Sequence, residues 1–365
     1  MVDLSPTAAP PNNGFTCLKF RVKGCILVYL IAERRRRAFT IIELLTTITI
    51  VGILLALLLS GVQSAREQAR NLTCGNHLRQ IGLAINNYVA AYNLYPFGVG
   101  QDADVVTATF SSWRHRRYST HTQLLPFLEH QNLFAQIDFT VSPFFPDLSG
   151  DPDYVTGIGP NEAAALTVVP VFLCPSDSNR TGRPWAGNNY RACNGSTWAG
   201  RTGNGLFGQG KMLRPSAILD GTSHVAAFSE RLMGDGTHTR ISLQQDVFAD
   251  GSLWTEPVLI PWCDGLTENA ARHLRTQDSN GGMTWLEGNM NWTRYNHATV
   301  PGKPSCKNQI SWNGITMPPS SRHRGGVNLL FAGGATRFIG QHIDRQVWRD
   351  LGNLNSGRPV QVEDW

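Results

Sequence analysis

Residues 34–59 read RRRRAFTIIELLTTITIVGILLALLL: four arginines, then an oily run holding one acid, Glu43. From Phe39 to Leu59 there are 21 residues with no Lys, Arg or His among them. At about 1.5 Å per residue that run spans a hydrocarbon core of about 30 Å, which predicts a transmembrane helix. The Arg34–Arg37 cluster reads as a cytoplasmic anchor, so the positive-inside rule places the N-terminus in the cytoplasm and everything after Ser60 beyond the inner membrane. A helix buried in a globular core is the bland alternative. A cleaved secretory signal fits poorly, because the run is too long and lacks a small-x-small exit. An unpaired carboxylate inside a bilayer is costly. With no basic side chain between Phe39 and Val62, the expected partner of Glu43 is a new charge or another chain. A cut after Ala38 would create such a charge, the α-amine of Phe39.

Ala38, Phe39, Thr40, two aliphatic residues, Glu43 and two leucines resemble the processing motif of type IV prepilins and pseudopilins. The resemblance implies cleavage before Phe39 by a prepilin peptidase, a membrane aspartyl enzyme that is also the methyltransferase for the new terminus. It further implies that Glu43 meets the Phe39 amine of a neighbouring pilin-like subunit during assembly. One buried pair would then encode the register between subunits. Ala38 stands where the family usually has Gly, a tolerated change expected to slow cleavage. The leader, residues 1–38, is longer than prepilin leaders usually are. A start codon assigned too far upstream or a true extended leader would explain it, and in either case it stays out of fold reasoning.

Charge points the same way. Residues 1–38 carry seven basic side chains against Asp3 and Glu33, which is the whole net excess of +5 over the 365-residue chain. The remainder is balanced, so net charge gives no support for nucleic-acid binding.

After the apolar run, residues 61–95 continue without proline, and apolar residues return at helical intervals: Val62, Ala65, Ala69, Leu72, then Leu78, Ile81, Ile85, Tyr88 and Tyr92. This predicts one stem helix from Phe39 to Asn93, about 80 Å long at 1.5 Å per residue, bending near Gly75 and stopped by Pro96. Arg66, Glu67 and Arg70 read as solvated surface charges. The region 96–365 is rich in Gly, Pro, Asn, Ser and Trp, which points to short strands and turns. Residues 123–138 and 162–169 read as short helices, and 344–351 as a closing helix stopped by Gly352. VFLCPSD, NNYRACNGST and SHVAAFSER read as strands, and GVNLLFAGGATRFI as a hairpin turning on Gly333-Gly334, with positive φ at both. The expected fold is α+β and pilin-like: a long N-terminal helix, membrane-spanning over 39–60 and amphipathic over 61–95, packed on a large, mainly antiparallel β head with a few short helices over 96–365.

LLLSGVQSAREQARNLTCGNHLRQIGLAINNY, HTQLLPFLEHQNLF, FLCPSD, LDGTSHVAAFSER and SRHRGGVNLLFAGGATRFI together resemble a large bacterial prepilin-type family. Its C-terminal domain has no known function, carries a tail motif of His, nine residues and Asp-Gly, and is also labelled solute-binding-like. Ser60 replaces a usual Pro, His224 a usual Asn, and Gly333-Gly334 the Asp-Gly, so His323 stands without the acid with which it would pair. His323 is then expected to steady the last hairpin through hydrogen bonds, and a metal role is weak without the Asp. Asp220 in Asp220-Gly221-Thr222 is expected to cap backbone at a turn; because pseudopilin heads can bind calcium, a calcium contact is the alternative there, and Asp151-Pro152-Asp153 invites the same thought but lacks the glycine spacing of a calcium loop.

Five cysteines follow Phe39, and an exported head would meet an oxidising space. Proximity in sequence pairs Cys174 with Cys193 and Cys263 with Cys306, leaving Cys74 as the spare thiol. None has zinc-type spacing, and the histidines lack it too. No catalytic or nucleotide-binding motif is present, so no cofactor, metal or catalytic residue is expected. The leading reading is a structural, pseudopilin-like subunit of a type II secretion or type IV pilus-like fibre. The alternative is a tethered extracytoplasmic binding module whose tryptophans take a carbohydrate or another envelope ligand. A tethered enzyme is the third.

Overall fold

Thr40 stands immediately before the first helical residue, and α1 runs unbroken from Ile41 to Tyr92. The computed structural model describes residues 40–100, 117–139, 143, 161–178, 185–200, 202–274, 276–308 and 314–358. The chain forms two compact units, one ending at Leu59 and the other beginning at Ser60.

In the first unit every side chain from 41 to 59 is exposed, and even the least exposed large aliphatic, Val51, shows 51% of its surface. A helix apolar on all sides has no stable place in water and suits lipid. This stretch is long and apolar enough to cross a membrane.

In the second unit α1 changes character. Cys74, Leu78, Ile81, Ile85 and Tyr88 are buried along one stripe, spaced alternately four and three residues apart. Each fully buried aliphatic on it contributes roughly 2 kcal/mol. Leu72 and Tyr92, both expected on this face, are 69% and 58% exposed. Leu72 falls nearly half a turn away from the stripe, and Tyr92 lies past its end with its ring 4.6 Å from that of Tyr88. Gly82 allows the closest approach: a Cβ there would lie 2.8 Å from Leu330 Cδ1 and 3.3 Å from Gly334 Cα. The helix ends where Asn93 takes a left-handed conformation, φ 55°, and Pro96 prevents its resumption.

Short helices follow: α2 Thr120–Leu124, α3 Gln131–Ala135, α4 Glu162–Leu166, α5 Glu256–Asp264, α6 Glu268–Ala271 and α7 Arg345–Leu351. The single helix expected over 123–138 is split, because Pro126 forces a tighter turn and Glu129 adopts φ 65°. The strand expected at VFLCPSD is a 3-10 turn, Pro170–Phe172, followed by irregular chain; Pro170 and Pro175 cannot supply ladder donors.

The described strands are β1 Tyr190–Cys193, β2 Ala226–Glu230, β3 Val247–Ala249, β4 Thr276–Asp278, β5 Arg294–Tyr295, β6 Ser305–Lys307, β7 Ile315–Thr316, β8 Gly326–Phe331 and β9 Thr336–Gly340. They form a five-stranded sheet in the order β5-β1-β2-β8-β9 and a four-stranded one in the order β4-β3-β6-β7. Pairing is antiparallel except for β1 with β5 and β3 with β6, so the fold is α+β with mixed sheets.

The large sheet is covered on both faces, and the strand period of two sorts its side chains. Leu330 joins the core formed with Leu78, Ile81, Ile85, Phe172 and Phe228, while its neighbours Leu329 and Phe331 pack with Trp348 and Leu351 of α7. The terminal hairpin closes through a three-residue loop, with the Gly334 N–H donating to Phe331 O at 2.8 Å and the Phe331 N–H to Ala335 O at 2.8 Å. Only Gly334 of the two central glycines has positive φ, 92°, because a three-residue loop needs one left-handed residue rather than two.

Candidate functional site

Two polar constellations stand out, one at the start of α1 and one where α1 meets the head. At the first, the Thr40 N–H and Oγ–H both donate to Glu43 Oε2 at 2.9 Å, and the Glu43 N–H donates back to Thr40 Oγ1 at 3.3 Å. This is a capping box, spelled in the sequence by T-x-x-E. The helix start thus supplies Glu43 with two neutral donors and no cation. Ala38 and Phe39 lie outside the described residues.

The second constellation draws on four separate segments. His323 Nδ1 lies 3.0 Å from Glu67 Oε1, and His323 Nε2 lies 3.2 Å from Glu230 Oε1. Both ring nitrogens face carboxylate oxygens, a geometry that an imidazolium satisfies by donating twice. Burial alone would lower the pKa of His323, but hydrogen bonds and charge from Glu230 and Glu67 outweigh it and raise the pKa above the ordinary 6.5. Burial likewise pushes Glu67 up, while Ser176, His323 and Arg70 together hold it below the ordinary 4.5. Ser176 Oγ donates to Glu67 Oε1 at 2.8 Å. The Asn328 N–H donates to Glu230 Oε2 at 2.8 Å, and Asn328 Nδ2 reaches both Glu230 Oε1 and Asn71 Oδ1. Beside the imidazole sits a disulfide between Cys74 and Cys174, with Cys174 Sγ 3.7 Å from His323 Nε2. Cys74 and Glu67 come from α1, Cys174 from the chain after the 3-10 turn, Glu230 from the end of β2, and His323 from the approach to β8.

Several expectations change here. The partner of Cys174 is Cys74, not Cys193, because the α1 stripe brings Cys74 within 5.2 Å Cα to Cα. Cys193 points to the other face of the large sheet, where it is buried and free, and burial pushes its thiol up to about 12. Cys263 and Cys306 are bonded, tying α5 to β6. Glu67 is no simple solvated charge but one arm of the His323 cluster. Asp220 accepts from the Ser356 and Gly357 N–H groups at 2.5 and 3.3 Å, capping the backbone of the C-terminal segment. Asp151 and Asp153 lie outside the described residues. Trp185, Trp285, Trp292 and Trp348 are buried, and Trp198, Trp254 and Trp262 half-buried, so among the described residues no tryptophan is fully exposed.

Comparison with known protein families gives two matches. Residues 63–346 match the family described as "Protein of unknown function (DUF1559)", a span well over half of the chain. The chain belongs to the DUF1559 family. Residues 34–59 of this DUF1559 protein match the "Prokaryotic N-terminal methylation motif", so the prepilin-type segment precedes the family domain. No curated protein and no solved structure matches it.

The tail motif of this DUF1559 member is not a His–acid pair across the hairpin. His323 precedes β8 and Gly333 follows it, and six strand residues at about 3.3 Å each separate them by about 20 Å. At Gly333 an added Cβ would meet Thr222 Oγ1 at 3.2 Å, and the Gly333 N–H already donates to Thr222 O at 2.9 Å. An aspartate there would face the Asp220-Gly221-Thr222 turn. The absence of that acid leaves the surroundings of His323 untouched.

Proposed function

We propose that the protein is a structural, pseudopilin-like subunit without catalytic activity of its own. Prepilin peptidase would cut it after Ala38 and methylate Phe39, α1 would anchor it in the inner membrane with the head on the extracytoplasmic side, and it would join a type II secretion or type IV pilus-like fibre. The observation that carries this reading is a methylation motif placed on a helix whose first 19 described residues expose apolar side chains all round. Lipid covers such a surface in the single chain, and packed neighbouring stems cover it in a fibre.

The capping box sharpens the role of Glu43. Its two bonds to Thr40 both survive removal of residues 1–38, so the carboxylate can stay ordered at the helix start and accept the Phe39 amine of an incoming subunit. The test is Glu43→Val. This variant is expected to insert and to be cleaved, but to give far fewer cysteine-crosslinked multimers along the stem than the parent. Multimer yield equal to the parent would remove Glu43 from assembly.

A further inference from the structure

Cys74 Sγ, Cys174 Sγ, His323 Nε2 and a Glu230 carboxylate oxygen lie within 4.8 Å of one another, and all four residues are buried. The geometry points to a second state of this cluster, in which the disulfide is reduced and the same four side chains hold one thiophilic divalent cation of the zinc class. Two edges of the tetrahedron already have the right length. Zinc bonds of about 2.0–2.3 Å put neighbouring ligand atoms about 3.3–3.8 Å apart; Cys174 Sγ to His323 Nε2 is 3.7 Å and His323 Nε2 to Glu230 Oε1 is 3.2 Å. The remaining change is the opening of the bonded sulfur pair, which follows from breaking the bond.

The support for the ligands is also in place. Zinc-bound imidazoles donate their other N–H to a carboxylate or carbonyl, which fixes the ring. His323 Nδ1 faces Glu67 Oε1 at 3.0 Å, and Glu67 is itself held by Ser176. Glu230 has Oε2 anchored by the Asn328 N–H, while Oε1 accepts from Asn328 Nδ2 and faces His323 Nε2 in the cluster. Sequence spacing gave no hint of this set, since its members are spread from residue 74 to residue 323.

The conversion balances. A dithiol reductant gives two electrons and two protons to the Cys74–Cys174 bond and leaves as its own disulfide, producing two thiols. The cation then displaces both thiol protons and the proton on His323 Nε2 to solvent, while His323 keeps its Nδ1 proton and donates it to Glu67 Oε1. Ion and disulfide exclude each other, and either one fastens α1 to the head. This inference is independent of whether the chain joins a fibre.

The experiment uses the full chain in detergent, reduced with dithiothreitol, desalted without oxygen and titrated with Co2+. Reduced protein is expected to take one Co2+ per chain, showing thiolate charge-transfer and tetrahedral ligand-field bands that Zn2+ abolishes; oxidised protein should show none. The bands should vanish in Cys74→Ser and persist in Cys263→Ser, which separates this cluster from the other cysteines. Glu67→Gln, which alters the group facing His323 Nδ1, should weaken Co2+ binding by the reduced protein about tenfold. Zn2+ should also raise the melting temperature of the reduced parent. Reduced protein with no thiolate bands and no Zn2+-dependent melting shift, or bands unchanged by Cys74→Ser, would overturn the inference.

Discussion

Replacing Cys74 and Cys174 together by alanine removes a cross-link that closes 100 residues of chain. In the chain-entropy description a loop of that length constrains the unfolded ensemble by about 4.7 kcal/mol, while the 43-residue separation of Cys263 and Cys306 gives about 4 kcal/mol. The native state loses little besides two small buried sulfurs, because Leu78, Ile81 and Ile85 still pack and the bonds from His323 to Glu67 and Glu230 do not involve either cysteine. The double variant should therefore fold and be less stable by about 4 kcal/mol. Urea unfolding of the oxidised full chain in detergent, followed by the fluorescence of buried Trp285 and Trp348, measures the loss. A difference below about 1 kcal/mol would show that this disulfide does not constrain the chain as the structure implies.

Gly82→Leu should destabilise the head by about 3 kcal/mol or more, since even its Cβ would meet Leu330 and the Gly334 backbone; thermal melting that matches the parent would contradict the close approach. Asp344→Ala removes the acceptor for the Gln346 and Val347 N–H groups at the start of α7 and should cost about 1 kcal/mol in a urea titration. Stability should fall as pH drops from 6.5. Burial lowers His121 to about 4 and His297 to about 3, so both are neutral when folded and protonate first in the unfolded chain. Each contributes stability that is full above 6.5 and is lost on the way down to its folded value, about 2 kcal/mol apiece by pH 5. His323 acts oppositely, contributing below 6.5 and losing that contribution as pH rises through its raised value. Flat stability between pH 7 and pH 5 in the parent, or an unchanged slope in His297→Gln, would refute the assignment of the acid loss to the buried imidazoles.

Much of this fold could be read from local pattern. The apolar run, the four-three repeat from Leu78 to Tyr88, the short strands at YRAC and AAFSE, and the closing helix before Gly352 depend on nearest-neighbour periodicity and stop signals. The two ends of the site differ in legibility. TIIE is contiguous and could have been recognised as a capping box. The His323 cluster could not, because a helix residue, a turn cysteine, a strand-end glutamate and a loop histidine meet only after the sheet has formed. The same reason explains the disulfide error: Cys174 and Cys193 are near in sequence, but Cys193 lies in β1, and strand alternation sends its side chain away from α1. Glu67 looked like any exposed helical acid because nothing local marks the turn that carries Ser176 to meet it.

The most direct measurement is the chemical identity of the first residue of the protein recovered from membranes of cells that have prepilin peptidase. Mass spectrometry of the N-terminal peptide should find N-methylated Phe39 followed by Thr40 and Ile41. A chain that still begins upstream of Arg34 and carries no methyl group would contradict processing, and the proposed subunit role would fall with it.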